Sequence, residues 1–309
     1  MQHYRSLDTF HLTQTWAAIG SFDGVHRGHQ TLLNTLAARA HAAGEPAVAI
    51  TFFPHPLKVL RDLPGPYYLT SPEKRADLIS ELGIDAVVTL PFSREMANQT
   101  AEEFMRTLVD RTQLKQLWVG QDFALGRGRE GNTTRLAELG RQMGYHLEVI
   151  DPVTNGQGAI SSSQIRALLQ EGDVQQAAAL LGRRYGFTGH VIPGDARGRQ
   201  IGFPTANLDV WEEQIVPLNG VYATRIGLNG RGIPSVTNIG VRPTFDSGQP
   251  VRRVEAHLLD FNGDLYGQDL EIEFVERLRP EQRFGSVQEL VEQIGRDVQR
   301  AREVLNHVI

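Results

Sequence analysis

The chain has 309 residues, 40% of them hydrophobic and 22% charged, which is globular composition at a length that suits two domains. Its net charge of -5 argues against a general nucleic-acid binder, which carries a basic surplus, while leaving room for a local basic pocket. The absence of cysteine excludes disulfides, thiol nucleophiles and thiolate metal sites. No signal peptide is visible, and no apolar run nears the about 18 residues of a membrane span, so a cytoplasmic protein is expected.

In chain order, Trp16 to Ile19 reads as a short buried strand. The loop Gly20-Ser21-Phe22-Asp23-Gly24-Val25 follows, and then a helical pattern with Leu32, Leu33, Leu36, Ala37 and Ala40 on one face. Strand, glycine loop and helix aim backbone N–H groups and a helix dipole at a phosphate. His26 and His29, three apart, leave the start of that helix on one side, and Gly28 between them permits close approach of a ligand. The stretch predicts a nucleoside triphosphate site whose chemistry is group transfer. Asp23 reads either as a residue that shapes the loop or as a catalytic carboxylate.

Pro46 to Phe53 is a second strand, and Ser71-Pro72-Glu73 opens a helix that stops at Gly83. Asp85 to Leu90 is a strand, and Thr100 with Glu103 forms a capping box before a helix carrying Phe104 and Leu108. Gln116 to Gly120 and Tyr145 to Ile150 are further strands, separated by a helix around Leu136, Leu139 and Met143. This alternation predicts a parallel sheet covered on both faces, with ligands bound beyond the carboxyl ends of its strands. Asp122, just past one of those ends, is either a nucleotide or magnesium contact or a turn carboxylate. Ile160-Ser161-Ser162-Ser163-Gln164-Ile165-Arg166 opens another helix, and its serines and arginine make a candidate oxyanion cradle.

After Gly182 the pattern changes to short alternating strands, from Tyr185 to Leu278. Asn229-Gly230 and Asn262-Gly263 predict hairpins, and the whole suggests an antiparallel barrel. Ser286 and Glu289 cap a last helix whose Leu290, Ile294, Val298, Ala301 and Leu305 read as one core-packing stripe. Domains are therefore expected at 1–182 and 183–309. Two tempting patterns fail. Gly126 to Gly131 satisfies the dinucleotide fingerprint in letters but not in context, since it does not follow its strand tightly. Asp260, Asn262 and Asp264 lack the glycine of a calcium loop, having Leu265 instead, and read as a hairpin.

Taken together, the histidine loop and the serine-rich helix start resemble the nucleotidyltransferases that share their ATP site with class I aminoacyl-tRNA synthetases. Thr51-Phe52-Phe53-Pro54-His55-Pro56, Val119-Gly120-Gln121-Asp122-Phe123 and Gly126-Arg127-Gly128 follow in the order of bacterial FAD synthetases. Gly189 to Asp195, Gly198-Arg199, Gly202 to Leu208, Val236 to Phe245 and Glu255 to Asp260 are similar to riboflavin kinases. Over nearly its whole length the chain resembles the bifunctional bacterial riboflavin kinase/FAD synthetase family. Gln164 stands where the wider superfamily often has lysine, and Phe53 where relatives commonly carry an acid.

The resemblance implies a Rossmann-like α/β nucleotidyltransferase domain followed by an antiparallel β-barrel kinase domain with a terminal helix. It implies riboflavin, FMN and ATP as small-molecule partners, Mg²⁺ as cofactor, and no nucleic acid or membrane partner. In the first domain Gly20, Phe22, Asp23, Gly24, Gly28, Asp122, Ser161, Ser162 and Ser163 would border the nucleotide. His26 and His29 would meet the α- and β-phosphates, with Arg166 and Ser162 at the leaving group. In the second, Gly194, Arg197, Gly198, Arg199 and Gly202 would wrap phosphates, and Thr205 and Asn207, two apart on extended chain, would offer oxygens to Mg²⁺. Glu255 would be the base.

Overall fold

The computed structural model describes residues 2–156, 158–194, 197–228, 230–242 and 251–306. It separates into two compact units, Met1–Ser162 and Ser163–Ile309.

The first unit contains β1 (Gln2–Tyr4), β2 (Trp16–Ile19), α1 (Arg27–Ala42), β3 (Ala47–Phe53), α2 (Pro56–Arg61) and α3 (Pro72–Ser80). Then come β4 (Ala86–Pro91), α4 (Arg94–Ala97), α5 (Ala101–Thr112), β5 (Gln116–Gly120), β6 (Ala124–Leu125) and β7 (Gly131–Asn132). It closes with α6 (Thr133–Met143) and β8 (His146–Ile150). Six strands form one parallel sheet in the order β1-β4-β3-β2-β5-β8. Side-chain alternation divides its core in two. Ala17, Ile19, Val48 and Ile50 pack against Phe104, Leu108, Leu136 and Leu139 of α5 and α6. Ala18, Ala47, Ala49 and Trp118 pack against Leu33, Leu36 and Ile79 of α1 and α3. From β2 the chain winds to β3 and β4 on one side and to β5 and β8 on the other. Its topological switch point therefore lies between β2 and β5, where the crevice of such a sheet opens. The predicted strands, the Ser71 cap and the Thr100–Glu103 capping box are all present.

The remaining elements are α7 (Ser162–Glu171), α8 (Val174–Leu181), β9 (Tyr185–Ile192), α9 (Arg197–Gln200) and β10 (Ala206–Val210). They continue with β11 (Gly220–Leu228), β12 (Arg231–Arg242), β13 (Val251–Leu258), β14 (Asp269–Arg279) and α10 (Val287–Asn306). Apart from Ser162, α7 and α8 count with this unit, so the division by contact comes earlier than the expected 182/183 boundary. The Leu218 amide donates to the Leu169 carbonyl at 2.9 Å, which ties α7 to the chain entering the barrel.

The six strands β10-β13-β12-β11-β14-β9 close a barrel with every pairing antiparallel. Tyr185, Phe187, Tyr222 and Phe274 are buried in mutual contact, with Tyr222 edge-on to Phe274 at 5.3 Å. Outside the wall, Ala301, Val304 and Leu305 of α10 pack on Val221, Ala223 and Val236.

One predicted hairpin is present: β11 and β12 pair up to Leu228 and Arg231, with Asn229 itself outside the described residues. The other is not. The neighbours of β13 are β10 and β12, whereas those of β14 are β11 and β9, so residues 259–268 form a crossing connection in place of a hairpin at Asn262-Gly263. Asp260 joins that connection to α10 through two bonds from Arg302 at 2.6 and 2.7 Å. Asp195 and residues 243–245 of the quoted motifs lie outside the described residues.

A buried ion pair also holds helix α10 to the barrel. Arg279 of β14 donates to both carboxylate oxygens of Asp297 at 2.7 to 3.0 Å, and Asp297 is 5% exposed. Removing one partner of a buried pair strands the other charge. Asp297→Ala should therefore lose about 3 kcal/mol or more of stability, measured by chemical denaturation.

Candidate active sites

The first site begins where β2 ends, at the switch point. Backbone geometry there is unusual. Phe22 and Val25 have φ of 47° and 42°, and Gly24 has 80°. Left-handed backbone is unfavourable for an aromatic or β-branched residue, so the loop needs external support. Asp23 supplies it. Its carboxylate, at zero exposure, accepts from the Leu69 and Thr70 amides at 3.1 Å and from the Thr70 hydroxyl at 3.2 Å. Thr70 Oγ1 in turn accepts from the Gly24 amide at 3.2 Å. Of the two readings of Asp23, these bonds describe the one that shapes the loop.

His26 is the N-cap of α1, its Nδ1 accepting from the His29 amide at 3.4 Å, which leaves the proton of the neutral ring on Nε2. The two imidazoles stack at 3.6 Å between centroids. A Cβ on Gly28 would lie 3.1 Å from the His26 ring, and one on Gly20 would lie 2.9 Å from the Phe22 ring. Burial first, then His26 and Arg75, push the His29 pKa well below its ordinary 6.5. His29 is thus neutral near pH 7, a dipolar hydrogen-bonding group with no net charge. Its Nδ1 is buried without a partner among the described residues, a polar atom that a ligand could satisfy.

The serine-rich motif reaches the same loop. Ser162 Oγ donates to the Asp23 carbonyl at 2.8 Å, and the Ile160 carbonyl lies 3.9 Å from where a Gly28 Cβ would stand. Ser161 precedes α7, Ser163 is in its first turn, and Arg166 is buried one turn further along. Asp122 sits exposed in the turn after β5, at the other lip of the switch point, with its carbonyl accepting from Arg129 at 3.0 Å. Sequence reasoning missed Thr70 and Arg75. The latter is a fully buried arginine on α3 whose Nη1 donates to the Ser21 carbonyl at 2.6 Å.

The second site lies on the outside of the barrel wall. Strand register sets Asn207 opposite Glu255, and Glu255 opposite Asn238, so three polar side chains form a row across β10, β13 and β12. Above them is a cavity of about 370 Å³, within the range of small-molecule sites. Val221, Val236, Ile201, Phe203, Phe284, Leu290 and Ile294 give it apolar walls, and Thr205, Asn238, Glu255 and His257 a polar side. The α10 stripe therefore divides: its later residues pack as core, while Leu290 and Ile294 line the cavity.

Glu255 is half-buried, with Arg253 3.6 Å away. His257, two residues on, bonds through Nδ1 to the Pro204 carbonyl at 2.7 Å and pins the Gly198–Thr205 segment to β13. That segment closes on itself through the Phe203 amide and Gly198 carbonyl at 2.8 Å. A Cβ on Gly198 would meet the Phe203 carbonyl oxygen at 2.3 Å, and one on Gly194 the Asn207 amide at 2.1 Å. Gly202 has φ of +87°, Arg199 is exposed, and Arg197 begins α9. Asn238, His257 and Arg279 were missed as site residues, although the Glu-x-His spacing of 255 and 257 signals a shared face.

Comparison with known proteins agrees with both halves. A riboflavin kinase family profile matches residues 181–305, and an FAD synthetase profile matches residues 9–164. The bifunctional riboflavin kinase/FMN adenylyltransferase of Escherichia coli K12 is 38% identical over 92% of this chain and 91% of its own. That of Bacillus subtilis is 37% identical over 92% and 90%. The chain belongs to the bifunctional riboflavin kinase/FMN adenylyltransferase family. A Streptococcus pneumoniae structure described as a macrolide-efflux protein shares the family fold, with TM-score 0.87 and 29% identity over 97% of this chain and 98% of that one. No helix among the described residues is long and apolar enough to cross a membrane.

The neutral state of His29 has a thermodynamic consequence. Its folded-state pKa lies below the ordinary 6.5, so as pH falls the unfolded chain takes up this proton first. The contribution is complete above about pH 6.5 and is lost below it, at up to about 1.4 kcal/mol per pH unit. His29→Asn should flatten that decline. Denaturation midpoints of both proteins between about pH 7 and pH 5 check it, and parallel curves would contradict it.

Proposed function

We propose that this chain makes FMN from riboflavin in its barrel unit and FAD from FMN in its parallel-sheet unit, each time at the expense of ATP. The observation that carries the reading is that each family profile falls on a unit whose site suits that reaction. By function the domains are taken as 1–182 and 183–309.

In the adenylyl transfer, a phosphate oxygen of FMN attacks the α-phosphorus of ATP, and the bond to pyrophosphate breaks. FMN is already an anion at neutral pH, so no base is needed. The barrier lies in assembling anions and in the charge that builds on the α-phosphate and the leaving group. Donors fixed before the reaction meet that demand. His26 and the neutral His29 serve the α- and β-phosphates, the start of α1 turns its dipole toward the chain of phosphates, and Ser162 holds the loop. Ser161, Ser163 and Asp122 border the nucleotide, and Arg166 is assigned to pyrophosphate on the family resemblance alone.

In the phosphoryl transfer, the terminal ribityl hydroxyl attacks the γ-phosphorus and ADP leaves. An alcohol is a poor nucleophile, and Glu255 takes its proton. The apolar walls of the cavity suit the flavin ring, and the polar row places the ribityl chain at Glu255. Gly194, Gly198 and Gly202, with Arg197 and Arg199, wrap the nucleotide phosphates. Thr205 Oγ1 and Asn207 Oδ1 are hard oxygen donors beside a carboxylate, a set that fits Mg²⁺ completed by phosphate and water. Held by Thr205 and Asn207, such an ion would offset the negative charge of the nucleotide phosphates. ATP as shared co-substrate suits a cytoplasmic setting.

Incubation with riboflavin, ATP and Mg²⁺, followed by chromatography of the flavins, should yield FMN and then FAD. His29→Ala should leave FMN formation intact and slow FAD formation by about 10²–10³. Glu255→Ala should slow FMN formation by about 10²–10⁴ yet spare FAD formation from supplied FMN. Equal loss of both activities in either variant would contradict the assignment of separate sites.

A further inference from the structure

Arg75 stands out among the buried side chains of the parallel-sheet unit. It has zero exposure, and its helix turns Leu78 and Ile79 onto the same buried face. Of its donors, Nη1 reaches the Ser21 carbonyl, while Nε and Nη2 have no partner among the described residues. Burial draws its pKa down from the ordinary guanidinium range, and attraction to Asp23 works against this most strongly. A guanidinium stays charged at neutral pH even so. An apolar residue at this position would pack without burying a charge or orphaning two donors, so helix packing alone does not account for an arginine. The neighbouring loop does. Ser21 begins the left-handed turn through Phe22, and its carbonyl accepts both Arg75 Nη1 at 2.6 Å and Thr51 Oγ1 at 2.9 Å.

We propose that Arg75 is a positioning residue of the first site: its hydrogen bond sets the Ser21 carbonyl, and its fixed positive charge behind the loop draws the polyphosphate of ATP. Being wholly buried, it acts through the loop and through its field, without touching the substrate. The inference rests on the reading that this loop binds ATP.

Arg75→Gln keeps an N–H for Ser21 and removes the charge, whereas Arg75→Lys keeps the charge. FAD formation from FMN is followed at varied ATP, FMN formation from riboflavin in the same chain reports an undisturbed barrel, and thermal melting reports folding. Arg75→Gln should raise the KM for ATP on the order of tenfold with a smaller change in kcat. Arg75→Lys should stay within about threefold of the parent. A folded Arg75→Gln protein with the parental KM overturns the proposal. So does a Lys variant as impaired as the Gln variant, or failure of both to fold, which would make the arginine structural. If the unaltered chain makes no FAD from FMN and ATP, it is the reading of the site itself that falls.

Discussion

The carboxylate of Asp23 accepts two backbone amides and a hydroxyl from Leu69 and Thr70, in a place no water reaches. The first site depends on that arrangement. Phe22 and Val25 sit in left-handed backbone at a cost of about 1–3 kcal/mol each. Hydrogen bonds to a charged group return about 1.5–3 kcal/mol apiece, enough to offset strain of that order. The strain has a structural effect. It turns the chain sharply at the end of β2, so that α1 starts just beyond the sheet instead of the strand continuing along it. A side chain at Gly20 would then strike the Phe22 ring, and one at Gly28 would crowd the His26 ring. The carboxylate thus fixes the backbone of the loop.

The barrel solves a different problem. Tyr185, Tyr222, Phe187 and Phe274 pack together in its interior, and the cavity lies on the outer face under α10. Antiparallel register makes the row Asn207, Glu255, Asn238 a product of backbone pairing, which fixes spacing without any loop. The Arg279–Asp297 pair helps to hold α10 as the cavity's far wall. Its bidentate geometry orients the helix where apolar packing by Ala301 and Leu305 fixes only its later turns.

Much of this was legible in the sequence because it follows from local periodicity. The strand before Gly20, the cap at Ser71 and the Thr100–Glu103 box are each set by residues within a few positions of one another, and each is present. What escaped depends on partners distant in sequence. Asn262-Gly263 is a strong turn signal, yet barrel closure gives β14 to β9 and β11, and the turn became part of a crossing. The stripe on α10 is continuous in sequence, and only the position of the barrel wall shows that Leu290 and Ile294 face a cavity. Asp23 could be read two ways because its donors are 46 and 47 residues away. Arg75 did leave a trace: it occupies the apolar face shared by Leu78, Ile79 and Leu82, where a cation is out of place.

A chain with net charge -5 that binds ATP must attract a polyanion against its own average field. The first site sets one exposed cation, Arg27, at the start of α1. The first turn of α1 carries no acidic residue, and His29 is held neutral. Dipoles and neutral donors fixed in place suit a transition state whose negative charge spreads over several oxygens, because they need no reorganisation as it forms. A protonated histidine would bind the ground-state phosphates more tightly and give part of that advantage away, since only what strengthens in the transition state raises the rate. The long-range share of the attraction then falls to a cation that burial fixes in place, and that is where Arg75 stands.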